Sequence, residues 1–162
     1  MTEEYISGYL ECVSRVKDIY TNHLGGFNCF FSFEKKDNLD LKENFLNYLD
    51  NKNDYYLSRG YNLDELKSKI ILTKIPNWET SIISLIEKWT CDKILETHNG
   101  KNGYYLSEYL VILLKEFFKS KPVELYKIDP DWEAWPWGDM MSEEYLFDTD
   151  NRIYIMHFGE SS

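Results

Sequence analysis

The chain has 162 residues, of which 43% are hydrophobic and 17% aromatic, so it can bury an ordinary core as a single globular domain, residues 1–162. Its 28 acidic and 18 basic residues give a net charge of −10, which argues against nucleic acid and anionic membranes, because both are bound through Lys and Arg. No run reaches the about 18 uncharged apolar residues of a membrane span, and no signal-peptide pattern is present, so we expect a cytoplasmic protein.

The first two thirds of the chain are predicted to be mostly helical. Apolar residues recur at three- and four-residue spacing over residues 3–24, which predicts an amphipathic helix that ends at Gly25 and Gly26. Residues 27–33 are aromatic and fit either a short strand or a packed connector. A second helix is predicted over residues 38–49. A third is predicted from about residue 64 and must end before Pro76, since proline disfavours helix at the preceding residue.

Two stronger helical patterns follow. Asn77 can cap a helix that continues to about residue 95, and Ser107 can cap another, whose residues 109–118 are apolar almost all round. A helix that is apolar on every side is usually buried centrally, so we expect this helix in the middle of the domain. The facing stripes of the two helices predict a largely buried set: Ile82, Leu85, Ile86, Tyr109, Leu110, Leu113 and Phe117.

After Pro122 the pattern changes from helix to strand. Residues 123–128, 144–147 and 152–158 are short runs rich in Val, Ile, Tyr and Phe. Turn-forming residues at 149–151 predict that the last two runs pair as an antiparallel hairpin, and the last run is apolar on both faces, which predicts a strand covered on both sides. The predicted fold class is α+β, with N-terminal helices packed with a small C-terminal antiparallel β-sheet.

The most unusual part of the sequence is the Trp-rich segment, residues 129–139, which holds three of the five Trp and four carboxylates. Trp is enriched at binding hot spots, and acidic neighbours steer a basic partner. Residues 121–162 contain ten acidic and three basic residues, a net charge of −7. A solvated acidic face, or Trp side chains folded back on the core, would also fit. We predict a partner-binding site composed of Asp129, Asp131, Trp132, Glu133, Trp135, Trp137, Asp139, Glu143 and Glu144.

Histidine and cysteine give no signature of catalysis or metal binding. The histidines are isolated from one another, and His157 lies in an apolar run where a structural role explains it best. The cysteines are odd in number, have no CxxC spacing and are expected to be reduced, mostly buried thiols: Cys12, Cys29 and Cys91.

Carboxylate pairs offer a weak enzymatic alternative. Asp129 with Asp131, or Glu143 with Glu144, could flank a glycosidic bond or hold a metal. Such pairs arise by chance in a chain with 28 acidic residues. We therefore expect no catalytic residue, no metal and no cofactor.

Three stretches carry a family resemblance: WEAWPWGD at residues 132–139, EYLF at 144–147 and RIYIMHFG at 152–159. With these stretches, the C-terminal third resembles the small acidic immunity proteins that bacteria encode beside secreted toxins, including those of contact-dependent growth inhibition. The resemblance implies a cytoplasmic protein that binds a cognate toxin domain, commonly a basic nuclease, and masks its active site. That class is diverse in fold, so no binding residue is carried over.

Two other functions remain open from the residues themselves. One is a small carboxylate-dependent hydrolase, which two convergent acids in a deep pocket would favour. The other is an adaptor that binds a peptide through the Trp-rich segment, which a surface groove lined by stacked rings would favour.

Overall fold

The computed structural model describes residues 1–21, 26–37, 40–51, 67–90, 105–119, 121–129 and 141–160. Within these ranges four helices, a further helical turn at residues 67–69 and five strands give an α+β fold, as the sequence predicts. In chain order the four helices and five strands are α1 (Glu3–Thr21), β1 (Phe27–Lys35), α2 (Leu41–Asp50), β2 (Ile71–Ile75), α3 (Trp78–Thr90), α4 (Leu106–Phe118), β3 (Glu124–Asp129), β4 (Met141–Asp148) and β5 (Arg152–Glu160).

The five strands form one antiparallel sheet in the order β1-β5-β4-β3-β2. Strands β4 and β5 pair as the predicted hairpin, in a register that sets Asp148 opposite Ile153. The turn is closed at Thr149, whose amide and hydroxyl both donate to the carbonyl of Arg152, at 3.0 and 2.8 Å. Strands β3, β4 and β5 each have a strand on both sides, so among the strands described the outermost two are β1 and β2.

Helices cover both faces of the sheet. Alternation along β5 directs Tyr154, Met156 and Phe158 into a core shared with α1, α3 and α4. Ile153 and Ile155, which alternate with them along the strand, enter a second core with α2. All seven residues from 153 to 159 are buried, which confirms that this strand is covered on both sides.

Aromatic side chains form the centre of the larger core. Phe118 stacks on Phe147 with ring centroids 5.2 Å apart, and Trp78 meets Phe147 edge-on at 5.7 Å. Phe31 stacks on Tyr154 at 5.5 Å, which fixes β1 against β5 beneath the helices. Much of the chain's aromatic content is therefore used in packing, where such pairs add about 0.5–1.5 kcal/mol each beyond the area they bury.

The structure corrects several local expectations. The ambiguous residues 27–33 belong to β1, and residues 71–75, predicted to end a helix, are strand β2. Helix α4 is not buried all round, because Tyr109 is 38% and Ile112 51% exposed. Ile82, Ile86, Leu110 and Leu113 are buried as predicted, whereas Leu85 and Phe117 are half-buried.

Two further findings concern cysteine and the membrane. Cys12 is exposed, contrary to the expectation of a buried thiol, and Cys29 is half-buried; Cys91 lies outside the described residues. In the part of the chain that the structure describes, no helix combines the length and apolarity needed to cross a membrane.

Candidate functional site

Most of the predicted partner-binding residues lie outside the described part of the chain. These are Asp131, Trp132, Glu133, Trp135, Trp137 and Asp139. Residues 130–140 join Asp129, the last residue of β3, to Met141, the first residue of β4. Strands β3 and β4 are hydrogen-bonded neighbours in the sheet, so the residues at both ends of this connection belong to paired strands.

Asp129 stands at the base of the connection and keeps about a third of its side chain exposed. It accepts a hydrogen bond from the Thr73 hydroxyl at 3.3 Å, and Lys127 lies 3.6 Å away. Ile71, opposite Asp129 in the register, is 63% exposed, and Met141 is 49% exposed. This end of the sheet thus presents a carboxylate together with exposed apolar side chains, a combination that suits a protein interface.

Glu143 is engaged inside the protein rather than extended to a partner. Its carboxylate accepts hydrogen bonds from Lys88 Nζ and Trp89 Nε1, both at 2.8 Å, and from the Tyr145 hydroxyl at 3.0 Å. Its side chain is 12% exposed. Burial alone would raise the pKa of Glu143, but the hydrogen bonds from Lys88 and Trp89 outweigh burial and lower it. Glu143 therefore holds the end of α3 against the sheet as a charged carboxylate.

Glu144 points to the opposite face of the sheet and is 1% exposed. Its Oε2 lies 2.7 Å from Nδ1 of the fully buried His157, and the His157 ring stacks on Phe30 at 4.6 Å. The expectation that Glu144 pairs with the cations of a partner is therefore wrong for this fold. A buried ionisable residue needs a bonded partner, and the two residues serve each other in that role, as the structural interpretation of His157 predicts.

The same buried face holds Tyr48, whose hydroxyl lies 3.0 Å from the Ser32 hydroxyl. Burial raises the pKa of Tyr48 to about 12, although the hydrogen bond with Ser32 acts in the other direction. Tyr48 consequently stays protonated at physiological pH and contributes a packed, hydrogen-bonded ring to the smaller core.

Of the two carboxylate pairs considered for an enzyme, Glu143 with Glu144 cannot form a common site. Adjacent residues of a strand project to opposite faces, and Glu143 and Glu144 do so here, one toward α3 and the other toward His157. They cannot converge on one bond or one metal ion. In the described ranges, no three His, Cys, Asp or Glu side chains gather as metal ligands.

An open groove of about 790 Å³, which the sequence did not predict, lies between α1 and β1. Its helical wall is a single stripe of α1, and its other wall is residues 28–33 of the edge strand β1. The wall on α1 consists of Glu3, Glu4, Ser7, Gly8 and Glu11. We call this feature the α1/β1 groove.

The α1/β1 groove is acidic. Glu3 pairs with Arg152 at 2.9 Å, and Glu11 pairs with Arg15 at 3.3 Å across a well-exposed turn. Glu4 is fully exposed, and a hydrogen bond from Thr2 lowers its pKa, so it is charged at neutral pH. A signal for this wall exists in the sequence, since the three glutamates recur at positions that share one helix face. The second wall has no comparable signal, because the aromatic residues 27–33 fit a strand or a connector equally well in the sequence.

Two solved structures align with this chain over most of its length and share its fold. A crystal structure of citrus MAF1 in space group C 2 2 21 aligns with a TM-score of 0.53 at 15% identity, covering 94% of this chain and 99% of that chain. A second, in space group P 31 2 1, aligns with a TM-score of 0.50 at 14% identity, covering 95% and 99%. At such identities the likeness concerns the fold alone. Neither a protein-family model nor a curated protein matches the chain.

Proposed function

We propose that this chain is an immunity protein that binds a cognate secreted bacterial toxin domain, a basic nuclease in the leading version, and neutralises it by masking its active site. The observation that carries the proposal is the acidic, Trp-rich segment at residues 129–139, which lies in the sequence between the neighbouring strands β3 and β4. Connections held by a rigid scaffold are favoured positions for binding residues. Such a protein acts in the cytoplasm, where its toxin would act.

Charge supports this proposal. Residues 121–162 carry a net charge of −7, whereas the larger remainder of the chain carries −3. A nuclease binds phosphates with Lys and Arg, so an acidic surface can occupy the same groove in place of nucleic acid. Complementary charges also accelerate encounter, which suits an inhibitor that must capture its toxin quickly.

In this proposal the predicted contact residues have two different roles. Asp129 remains accessible, and the Trp residues with the neighbouring acids at 131, 133 and 139 remain candidates for direct contact. Glu143 and Glu144 are assigned to the scaffold, the first as an anchor for α3 and the second as the partner of His157. In this proposal the Trp side chains supply the buried anchors, and the exposed carboxylates form the rim.

Binding kinetics against the toxin domain encoded beside this gene test the proposal. Trp135→Ala should raise the dissociation rate and weaken binding by about 2 kcal/mol or more, as expected for an anchor. Glu133→Lys and Asp139→Lys should mainly lower the association rate, with an effect that shrinks as salt rises.

Matched controls come from surfaces away from the Trp-rich segment. Tyr109→Ala removes an exposed aromatic from α4, and Glu43→Lys reverses an exposed charge on α2. Both should bind the toxin domain like the wild type. If the wild-type chain neither binds the domain nor protects cells that express it, the immunity proposal is wrong.

A further inference from the structure

Strand β2 presents an accessible edge of the sheet. Among the described strands it is the outermost one on the side away from β1, and in the described ranges its backbone hydrogen bonds come from β3 alone. Strand β1 differs, because Ser7 and Asp18 of α1 bond to its backbone. Ile71 at the start of β2 is 63% exposed, and Thr73 and Lys74 are exposed as well. An incoming segment can therefore reach the backbone of β2.

The register of the sheet shows which residues of β2 direct their backbone groups outward. The Thr149 amide donates to the Arg152 carbonyl, so these two residues are a hydrogen-bonded pair of the β4–β5 hairpin. In an antiparallel sheet such pairs alternate along a strand, and the residues between them bond to the strand on the other side. Counting through the pairs of β4 with β3 and of β3 with β2 assigns the odd-numbered residues of β2 to β3. Leu72 and Lys74 therefore direct their N–H and C=O groups away from the sheet.

Lys74 gives this edge a positive charge near its C-terminal end. It pairs with Glu124 at 2.6 Å, but 56% of the Lys74 side chain and 51% of the Glu124 side chain are exposed. An ion pair this exposed stabilises the fold little, so it does not hold Lys74 away from a new neighbour. The ammonium group has three N–H donors and can contact a second acid. A residue added directly opposite Lys74 is therefore best acidic.

Asp129 gives the other end of the edge a negative charge. It lies opposite Ile71 in the register, and 36% of its side chain is exposed. Its contacts with Thr73 and Lys127, at 3.3 and 3.6 Å, leave acceptor positions open, because a carboxylate has about four. A Lys or Arg added opposite Ile71 can cover that exposed side chain with its apolar stem and reach Asp129 with its charge.

From this geometry we infer that the outer edge of β2 accepts an extended segment of the toxin domain as an added antiparallel strand. The segment carries an acidic residue opposite Lys74 and a Lys or Arg opposite Ile71. In strand addition at a sheet edge, backbone hydrogen bonds supply affinity and side-chain contacts supply selectivity. Leu72 and Lys74 together offer two backbone donors and two backbone acceptors, and the charges at the two ends of the edge select the orientation of the segment.

The position of β2 places this edge beside the start of the Trp-rich segment. Asp129 is both the register neighbour of Ile71 and the first residue of that segment. A toxin domain that contacts the segment therefore has the β2 edge next to it. The inference names a further contact surface for the toxin domain and in that respect rests on the proposed function, but peptide binding tests the edge separately.

A second copy of this chain is a poorer occupant. Two β2 edges paired about a twofold axis at Thr73 set Lys74 of one copy opposite Leu72 of the other, so neither lysine gains an acidic neighbour. Each copy also has a net charge of −10, which opposes association. A short edge strand that carries a lysine is one of the devices by which proteins avoid pairing with themselves, and β2 has only five residues.

The first measurement uses the full chain and a fluorescent heptapeptide, Thr-Thr-Glu-Val-Val-Arg-Thr, whose Glu falls opposite Lys74 and whose Arg falls opposite Ile71. N-methylation of its Glu and its second Val removes the two amides directed at β2 and should weaken binding at least about tenfold. N-methylation of the first Val is the matched control, because that amide points away from β2, and it should change affinity less than about threefold. Binding should slow hydrogen exchange at the amides of Leu72 and Lys74.

Charge exchange at Lys74 tests the side-chain register. Lys74→Glu should weaken the peptide at least about fivefold, and a peptide with Lys in place of Glu should recover most of that loss. Lys119→Glu is the matched control, because Lys119 is also an exposed lysine paired with one glutamate, at the end of α4. It should change the affinity of either peptide less than about twofold, since it lies outside the β2 edge.

A proline variant tests the backbone contribution. Lys74→Pro removes the outward N–H together with the side chain, whereas Lys74→Ala removes the side chain alone. Proline is tolerated in an edge strand where its missing N–H faces outward, so the β2–β3 ladder should persist. Lys74→Pro should bind the peptide at least about fivefold more weakly than Lys74→Ala. If Lys74→Pro fails to fold, the charge exchange at Lys74 decides the matter.

The outcomes are distinct. Failure of the peptide to bind, equal losses for all three N-methylated positions, or equal effects of Lys74→Glu and Lys119→Glu would overturn the inference. So would a homodimer that Lys74→Pro dissociates in sedimentation, because the occupant would then be a second copy. If the neighbouring toxin domain binds without protecting the amides of Leu72 and Lys74, the edge inference fails and the proposed function stands. If the toxin domain does not bind while the peptide does, the proposed function fails and the strand-accepting edge stands.

Discussion

Replacement of Glu143 tests whether this carboxylate is part of the scaffold. Trp89 and Tyr145 are 3% and 0% exposed, and both donate to Glu143. Removing the carboxylate leaves these two buried donors without an acceptor. Each unpaired donor costs about 1–3 kcal/mol of folding free energy, unless a water molecule replaces the carboxylate. Lys88 is 55% exposed, so its ion pair adds less than about 1 kcal/mol. Glu143→Ala should therefore lower the free energy of unfolding by about 2–4 kcal/mol, and Glu143→Gln, which retains an acceptor, by about 1–2 kcal/mol.

The pH dependence of stability tests the same role of Glu143, because its lowered pKa sets the direction in which stability changes with pH. The pKa of Glu143 in the folded state lies below its ordinary value of 4.5. A carboxyl group with a lowered pKa stabilises the fold above the ordinary value and loses that contribution as pH falls through the folded pKa. The stability difference between wild type and Glu143→Gln should be constant from about pH 7 to pH 5 and shrink below about pH 4.5.

Urea denaturation monitored by Trp fluorescence and far-ultraviolet circular dichroism measures both effects. Lys88→Ala is the control, since it removes only the exposed cation and should cost less than about 1 kcal/mol. A loss below about 0.5 kcal/mol for Glu143→Ala, or a difference from Glu143→Gln that grows with acidity, would refute the scaffold role.

Three further stability predictions can be checked by the same denaturation assay. Leu110→Ala should cost about 2–5 kcal/mol because Leu110 is fully buried, whereas Ile112→Ala on the same helix should cost less than about 1 kcal/mol because Ile112 is 51% exposed; equal losses would contradict the assigned orientation of α4. Gly8→Ala should raise the free energy of unfolding by about 0.5–1 kcal/mol, because the new methyl group meets open space in a helix, and a loss would mean that the site is crowded. Asp40→Ala should cost about 0.5–2 kcal/mol, since the Asp40 side chain accepts the Glu43 amide at 2.8 Å and caps α2; no loss would show that this cap is dispensable.

The strands that could be predicted from the sequence are those with a local signal. Strands β3, β4 and β5 have alternating or continuous apolar residues over six to nine positions. The turn residues at 149–151 predict the hairpin of β4 and β5. β2 was missed because its five residues, ILTKI, follow a helical pattern and precede Pro76, which is equally consistent with a helix end. Its identity as a strand depends on pairing with β3, a partner about fifty residues away, and such a contact leaves no local trace.

The features of the candidate site likewise differ in whether the local sequence predicts them. A net acidic, aromatic C-terminal region is a property of composition and was available from the sequence. The separate roles of Glu143 and Glu144 were not, because strand alternation sends neighbouring carboxylates to opposite faces and their partners, Trp89 and His157, come from distant positions. The α1/β1 groove needs a helix and a strand side by side. Only half of that pair, the amphipathic helix, is evident from periodicity.

Neutralisation of a toxin is tested by titrating the purified neighbouring toxin domain with this chain, with the toxin's own activity as the readout. Complete inhibition is expected near one equivalent of chain. Inhibition should weaken for Trp135→Ala and for Asp139→Lys, and should be unchanged for Tyr109→Ala. Full toxin activity in the presence of a several-fold excess of folded wild-type chain would show that the chain does not neutralise this toxin.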